Sequence, residues 1–185
     1  DMSAPHLYVD SNGELADFEK PHKKLQEKLA WEQRKLSHRQ KDSKNYEKQR
    51  KVVARLHAKI KHQRKDRLHK LSEQLTREYD LISIEDLDMS ALKQTLNLGK
   101  SYSDNGWGMF VTMLLYKGKR NGCYIIKIDK WFPSSKTCSQ CGYVHKELRL
   151  SDRTYVCPVC GNLIDRDEQA AINIDLEGLR ILLSA

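Results

Sequence analysis

Hydrophobic positions fall into short apolar runs and longer repeats with helical spacing. Runs at residues 6–9, 81–84 and 124–128 predict β-strands. The Asn12-Gly13 dipeptide is typical of a tight hairpin turn, and Leu15 begins the return strand. Residues 1–18 are therefore predicted to form a β-hairpin, and the second run is predicted to be a buried strand that ends on Glu85.

Residues 19–79 are predicted to form two long helices. In the first, Leu25, Leu29 and Leu36 mark a narrow apolar stripe, and the helix breaks near residues 41–45. In the second, apolar residues recur at steps of three, four and eight: Val52, Leu56, Ile60, Leu68, Leu71 and Leu75.

Beyond Glu85, we expect a loop through Gly99 and Gly106, a helix over residues 107–116 and a strand over residues 124–128. A cysteine-rich segment follows, and residues 165–167 lead into a last helix that starts at Glu168 and continues through Leu182. This order predicts a mixed α/β sheet with two insertions, the helical hairpin and the cysteine-rich segment.

The length of the chain limits the number of domains, and its charge indicates the class of binding partner. At 185 residues the chain is one domain, or one domain with a small module. Residues 19–79 hold 20 of the 33 basic residues and 8 of the 25 acidic ones, and the net charge is +8. A solvated helix face explains mixed charge, but so large an excess favours a polyanion, nucleic acid before membrane. No apolar run has the length of a transmembrane helix, and the Lys- and Glu-rich composition is typical of a cytoplasmic protein.

Four cysteines form two Cys-x-x-Cys pairs, each followed by glycine. Cys138 and Cys141 make the first pair, and Cys157 and Cys160 make the second. Two such turns supply the four thiolates of a structural Zn²⁺ site with no open position. Disulfides are the alternative, which the cytoplasmic composition disfavours. The fifth cysteine, Cys123, is expected to be a buried strand thiol and not a ligand.

Three carboxylates are candidate ligands of a metal site. Glu85 ends an apolar strand, Asp1 lies where an opening strand is expected, and Asp167 lies next to the start of the last helix. Acids from distant parts of a chain can converge on two Mg²⁺ ions and hydrolyse a phosphodiester. Each also has an ordinary explanation: a helix cap for Asp165 or Asp167, a surface turn at Glu85-Asp86, and a terminal residue at Asp1. The pattern alone leaves a metal-dependent nuclease and a plain binding module equally open.

These motifs together resemble a known family. Residues 84–87 (IEDL) after a basic helical hairpin, residues 134–142 (SSKTCSQCG) and residues 165–174 (DRDEQAAINI) are similar to the TnpB/OrfB proteins of insertion sequences. That family is related to type V CRISPR effectors and Fanzor proteins. The resemblance covers essentially the whole chain, and it implies a transposon-encoded, RNA-guided DNA endonuclease of the kind long named transposase.

The resemblance implies an RNase H-like (RuvC) α/β fold over residues 1–137 and 161–185, with a basic helical hairpin inserted at about 19–79 and a zinc ribbon at 138–160. It implies that Asp1, Glu85 and Asp167 are catalytic and hold two Mg²⁺ ions. Residues 2–4 depart from the usual sequence after the first acid, and Gln169 replaces the usual Asn. Because the family's N-terminal region is not in this sequence, we expect the chain to be the C-terminal part of a longer protein.

Guide RNA and target DNA are the expected partners, in the bacterial cytoplasm and at the nucleoid. Base pairing would supply the sequence specificity, while the hairpin holds the nucleic acid backbone. The basic residues expected to contact phosphates are Arg50, Lys51, Arg55, Lys61, Arg64, Lys65 and Arg67. Two other functions remain open: a catalytically inactive nucleic-acid-binding relative, and a transposase that also joins DNA strands.

Overall fold

The computed structural model describes residues 1–3, 6–16, 23–87, 106–149 and 151–184. The helices are α1 (Lys23–Ser37), α2 (Lys44–Glu78), α3 (Trp107–Asn121) and α4 (Arg166–Leu183), with a one-turn 3₁₀ helix at Ser134–Lys136. The strands are β1 (Leu81–Glu85), β2 (Tyr124–Ile128), β3 (Thr154–Val156) and β4 (Leu163–Asp165). The predicted mixed α/β character is confirmed. The predicted loop at Gly99 and the end of the predicted hairpin, residues 17–18, lie outside the described residues.

The chain forms two compact units. One contains residues 19–71, and the other contains residues 1–18 and 72–185, so that α2 contributes to both. In the part of the chain that the structure describes, no helix is both long and apolar enough to cross a membrane.

Helix α1 and the part of α2 up to Leu71 form the predicted helical hairpin. The helices separate at residues 38–43, and the Ser43 hydroxyl caps α2 by accepting a hydrogen bond from Tyr46 N at 3.1 Å. One detail of the predicted stripe is wrong: Val53 is buried, whereas Val52 is half-buried. The buried apolar residues of α2 in this unit are Val53, Leu56, Ile60 and Leu68.

A three-segment β arrangement opens the other unit. Val9 pairs with Leu15, and the turn between them places Gly13 at φ +78°, a conformation that favours glycine. On its other side Val9 exchanges two hydrogen bonds with Asp1, at 2.8 and 2.9 Å. Trp107 of α3 donates from its indole N–H to the Leu7 carbonyl at 2.8 Å, which anchors the hairpin. The predicted turn and the return at Leu15 are confirmed, but residues 6–9 do not form the predicted strand, because only Val9 pairs, through a single bridge.

Strands β1 and β2 pair in parallel, and Glu85 lies opposite Ile128 at their carboxyl ends. The predicted bounds of both strands are confirmed, but β1 is half-buried along its length and not fully buried. Helix α3 runs to Asn121, five residues beyond the predicted end at residue 116. The extension includes Lys117, whose side chain is buried. Its ammonium group contacts Ser72 Oγ at 2.9 Å and Glu73 Oε2 at 3.4 Å, and these polar contacts stabilise the buried charge.

Helix α4 packs on β1, β2, the 3₁₀ helix, β3 and β4. It starts at Arg166, two residues before the predicted start, and β4 leads directly into it. The closest approach of helix and sheet is at Gly178, where an added Cβ would lie 2.5 Å from Ser83 Cβ and nearer still to Ser83 Oγ. Glycine at this position therefore lets α4 lie directly on β1.

Replacing Gly178 by alanine tests this contact. Alanine favours a helix by about 1 kcal/mol over glycine. We nevertheless expect Gly178→Ala to lower the free energy of unfolding by about 1–3 kcal/mol, because the new methyl group overlaps Ser83. The measurement is chemical denaturation followed by circular dichroism.

Gly108→Ala in α3 is the matched control, since among the described residues no atom beyond its chain neighbours and its own helix backbone lies within 4 Å of its added Cβ. It should leave stability unchanged or raise it by up to about 1 kcal/mol. Equal effects of the two substitutions would contradict a tight contact at Gly178.

Candidate functional site

The four paired cysteines converge on one point. Their sulfurs all lie within 4.8 Å of one another, and Cys138–Cys160 and Cys141–Cys157 are each 3.6 Å apart. A disulfide would hold its sulfurs at about 2.0 Å. A tetrahedron with metal–sulfur bonds of about 2.3 Å has edges of about 3.8 Å. The four sulfurs therefore fit a tetrahedral ion of the size of Zn²⁺.

The backbone of each pair favours thiolates. For Cys157, burial is the largest single effect and opposes ionisation of the thiol. The N–H groups of Cys160 and Val159 donate to its sulfur, and the hydrogen bonds together outweigh burial and lower its pKa to about 6. The pKa of Cys141 is raised to about 12: the Tyr143 N–H favours its thiolate, but burial and the neighbouring sulfurs outweigh that effect. One cysteine of the group thus ionises readily while another retains its proton, and a metal ion that binds must displace that proton.

A small apolar cluster supports the thiols. Tyr155 of β3 is fully buried against Cys138 and Cys157, with Leu148 and Ile164 packed alongside. His145 lies edge-on to the Tyr155 ring, at 6.2 Å between ring centroids, and is not in the metal-binding group. The fifth thiol, on Cys123, is buried just before β2 and is not in the group either. None of the five cysteines, all of which the structure describes, forms a disulfide.

Metal analysis tests the thiol site. We expect about one zinc per chain by mass spectrometry, and Cys157→Ser or Cys160→Ser should remove it because three thiolates no longer close the tetrahedron. Chelation should lower the melting temperature, since metal binding contributes folding free energy.

Cys123→Ala and His145→Ala are the controls, and both variants should keep one zinc per chain. Loss of zinc in either control, or full zinc in Cys157→Ser, would show that the ligands are other than the four paired cysteines.

Glu85 stands at the carboxyl end of β1. Its Oε1 accepts a hydrogen bond of 2.8 Å from the Ser134 hydroxyl, at the start of the 3₁₀ helix. Asp86 donates from its backbone to the Ile128 carbonyl at 3.1 Å, which holds the two strand ends together. Neither residue lies in a turn: Glu85 is the half-buried last residue of β1, and Asp86 is exposed and pairs with Lys127 at 2.8 Å.

Asp1 lies near two of the predicted acids. The carboxylates of Glu85, Asp10 and Asp167 act electrostatically on its backbone nitrogen. Asp1 and Glu85 also line the same cavity. Both acids predicted to join Asp1 therefore act on it from distant parts of the chain.

Asp165 and Asp167 have different roles. The Asp165 side chain caps α4 by accepting from the N–H groups of Asp167 at 2.8 Å and Glu168 at 3.3 Å. Asp167, in the first turn, has a side-chain oxygen 3.5 Å from the Arg166 guanidinium. Of the two candidates for a helix cap, Asp165 is the cap, and the Asp167 carboxylate is half-buried beside Arg166.

A cavity of about 280 Å³ adjoins these acids. Asp1, Asp10, Glu85 and Asp175 contribute its carboxylates, with Tyr8, Tyr79 and Phe110 among the apolar lining; Asp167 is outside this lining. Among the described residues, the acids are not gathered as tightly as the four thiols. The assignment of Asp1, Glu85 and Asp167 as metal ligands stays a prediction.

Sequence reasoning missed the residues that hold this region in place. Ser134 contacts Glu85, and the buried amides of Gln169 and Asn173 contact the backbone around the 3₁₀ helix. The sequence offers two weak indications of these residues. One is the Ser134-Ser135 motif, and the other is the pair of polar positions, Gln169 and Asn173, on an otherwise apolar face of the last helix. Asp175 was also missed, because a single acid on a helix carries no pattern.

The predicted phosphate contacts all lie on α2, in the unit of residues 19–71. Five are exposed, and Arg64 and Arg67 are half-buried. Arg50 is already paired with Glu47 at 2.9 Å. The exposed residues of the set that form a basic face away from the apolar stripe are Lys51, Arg55, Lys61 and Lys65.

Two family models match the chain. The OrfB_IS605 model, described as a probable transposase, matches residues 1–96, and the model described as Cas12f1-like, TNB domain, matches residues 107–174. The second match includes all four paired cysteines, and the first includes Asp1 and Glu85.

Curated relatives extend the similarity. A Streptomyces pristinaespiralis protein is 41% identical over 179 residues, which is 97% of this chain and 44% of the relative. An Escherichia coli K12 protein, InsQ, is 31% identical over 197 residues, 98% of this chain and 49% of the relative. Both carry the name "Putative RNA-guided DNA endonuclease". The chain thus spans less than half the length of either relative.

A solved structure agrees at the level of the fold. The cryo-EM structure of the Cas12f1-sgRNA-target DNA complex superimposes with a TM-score of 0.57 and 20% identity, over 82% of this chain and 40% of that chain. Since the OrfB_IS605 model matches more than half of the chain, the protein belongs to the OrfB_IS605 family of TnpB-like, transposase-related proteins.

Proposed function

We propose that this chain carries the metal-dependent nuclease centre of an RNA-guided DNA endonuclease. The observation that supports it best is that Asp1 and Glu85, distant in sequence, line one cavity together with Asp10 and Asp175, while the Asp167 charge also acts on Asp1. Carboxylates that converge repel one another, and a divalent ion relieves that repulsion. We further propose that the site belongs to an RNase H-like sheet.

Asp1, Glu85 and Asp167 would hold two Mg²⁺ ions, for which carboxylate oxygens are the preferred ligands. When bound, such ions activate water and stabilise the leaving oxygen of a phosphodiester. The chain itself orients the acids: Ser134 holds one oxygen of Glu85, and the Asp165 cap fixes the first turn of α4, where Asp167 lies. Asp1 is held by its paired hydrogen bonds to Val9.

The four thiols would hold a structural Zn²⁺ with no position for substrate, because all four ligands come from the protein. Guide RNA and target DNA are the proposed partners, in keeping with the names of the relatives and the nucleic acids in the matching complex. The basic face of α2 supplies positive charge suited to phosphate backbones.

Isosteric neutralisation tests the acids. In the full-length protein with guide RNA, Glu85→Gln and Asp167→Asn should each abolish Mg²⁺-dependent DNA cleavage, because each removes a ligand charge at constant size. Cleavage is measured on a labelled target duplex, and binding of the same duplex should be unchanged. The melting temperature should stay constant or rise slightly, as repulsion among the acids falls.

Asp165→Asn is the control, because asparagine also caps helices well and the residue lies only two positions from Asp167. Its cleavage should stay close to that of the wild type. Full cleavage by Glu85→Gln would leave a nucleic-acid-binding protein as the better assignment. Joined DNA strands among the products would indicate a strand-transfer transposase.

Salt dependence tests the basic face of α2. Replacing Lys51, Arg55 and Lys61 by Gln should weaken binding to unrelated DNA sequences equally. The slope of log affinity against log salt should fall by roughly 0.9 for each phosphate that the variant no longer neutralises. Fluorescence anisotropy at several salt concentrations measures both quantities.

A variant with Lys119, Lys146 and Arg149 replaced by Gln removes the same charge from exposed positions outside α2. It should leave the slope nearly unchanged. Equal slopes for the two triple variants would mean that binding follows net charge, and that the α2 face is only solvated.

A further inference from the structure

Two amide side chains on α4 are buried although neither is a proposed ligand. Gln169 is 0% and Asn173 is 4% exposed, and they lie one turn apart on the same face of the helix. A buried amide is costly unless its donors and acceptors are paired. Among the described residues, both amides find their hydrogen-bond partners in the 3₁₀ helix and the cysteine-rich segment.

Asn173 holds both ends of the 3₁₀ helix. Its Nδ2 donates to the Ser134 carbonyl at 2.7 Å and to the Thr137 carbonyl at 2.6 Å. The same Ser134 donates from its hydroxyl to Glu85 at 2.8 Å. Asn173 of α4 therefore fixes the position of the Ser134 hydroxyl, which in turn orients Glu85.

Gln169 connects this turn to both cysteine pairs. Its Nε2 donates to the Thr137 carbonyl, next to the ligand Cys138, at 2.5 Å. Its Oε1 accepts from Ser139, inside the first pair, at 3.2 Å, and from Asn162, just after the second pair, at 3.4 Å. Asn162 also accepts from Cys157 N at 2.8 Å through its carbonyl.

A continuous chain of contacts therefore runs from the thiol site to Glu85. We propose that Gln169 and Asn173 are positioning residues, which make the zinc-bound cysteine pairs a rigid support that orients the Glu85 carboxylate for its metal ion. This inference rests on the proposed function in one respect, that Glu85 binds a divalent ion. Mg²⁺ demands near-ideal geometry, so its affinity depends on how its ligands are oriented. Loss of an outer hydrogen-bond partner of a ligand typically weakens metal binding about 10–100-fold.

The ordinary alternative is that the two amides only fill the helix–ribbon interface. In that case their loss lowers stability and leaves Glu85 as it was. The two explanations therefore differ in what happens to the Glu85 carboxylate in a protein that is still folded and still holds zinc.

The variants are Ser134→Ala, which removes only the hydroxyl that contacts Glu85, and Asn173→Ala, which removes the amide one step behind it. Ser184→Ala is the matched control, because its hydroxyl donates to the Arg180 carbonyl at the far end of α4. Zinc content and melting temperature are measured for each variant of the zinc-loaded chain.

The first readout is the carboxyl ¹³C signal of Glu85 at fixed pH without divalent ions, assigned by its loss in Glu85→Gln. We expect it to shift in Ser134→Ala and in Asn173→Ala, both with zinc retained, and to stay unchanged in Ser184→Ala. An unshifted signal in folded Ser134→Ala or folded Asn173→Ala would overturn the proposal.

The second readout is Mn²⁺ affinity by electron paramagnetic resonance. It should fall about tenfold or more in Ser134→Ala and Asn173→Ala, and stay unchanged in Ser184→Ala. Wild-type affinity in Ser134→Ala would overturn the positioning role. If the wild type bound no Mn²⁺ through Glu85, the proposed function would fail, and the carboxyl signal would still decide whether the support reaches Glu85.

Discussion

The buried face of α4 is the constraint on which the rest of the larger unit depends. Gly178 brings the helix directly onto Ser83 of β1, and two turns earlier Gln169 and Asn173 hold the 3₁₀ helix and the ribbon by their amides. Small side chains permit the close approach, and the amides satisfy backbone carbonyls that the approach would otherwise bury without partners. Strand, ribbon and acidic site therefore take their positions from one helix.

Carboxylates from distant parts of the chain meet in the acidic region. Asp1, Asp10, Glu85 and Asp175 line one cavity, and the Asp167 charge acts on Asp1. A divalent ion at the proposed site would stabilise carboxylates that lie this close together.

The ribbon has a different physical basis. Its apolar cluster consists of Tyr155 with Leu148 and Ile164 beside the cysteine pairs, which is too little to support a separate core. Four thiolates on one ion would supply the missing free energy. The backbone N–H groups that lower the pKa of Cys157 prepare part of that charge before the ion arrives.

Features set by neighbouring residues could be predicted from the sequence. The bounds of β2, the break between α1 and α2, the Gly13 turn and the metal-binding geometry of the cysteine pairs all depend on short-range spacing. The end of α3 was predicted too early, because Lys117 is polar and only its contacts with Ser72 and Glu73, more than forty positions away, make it a buried residue. The partner of Glu85 was missed for the same reason: Ser134 lies forty-nine positions further along the chain. The sequence alone thus determined the local elements and the chemistry of the thiols. The tertiary structure decided which distant polar groups meet, because burial leaves each of them stable only where a partner is within hydrogen-bonding distance.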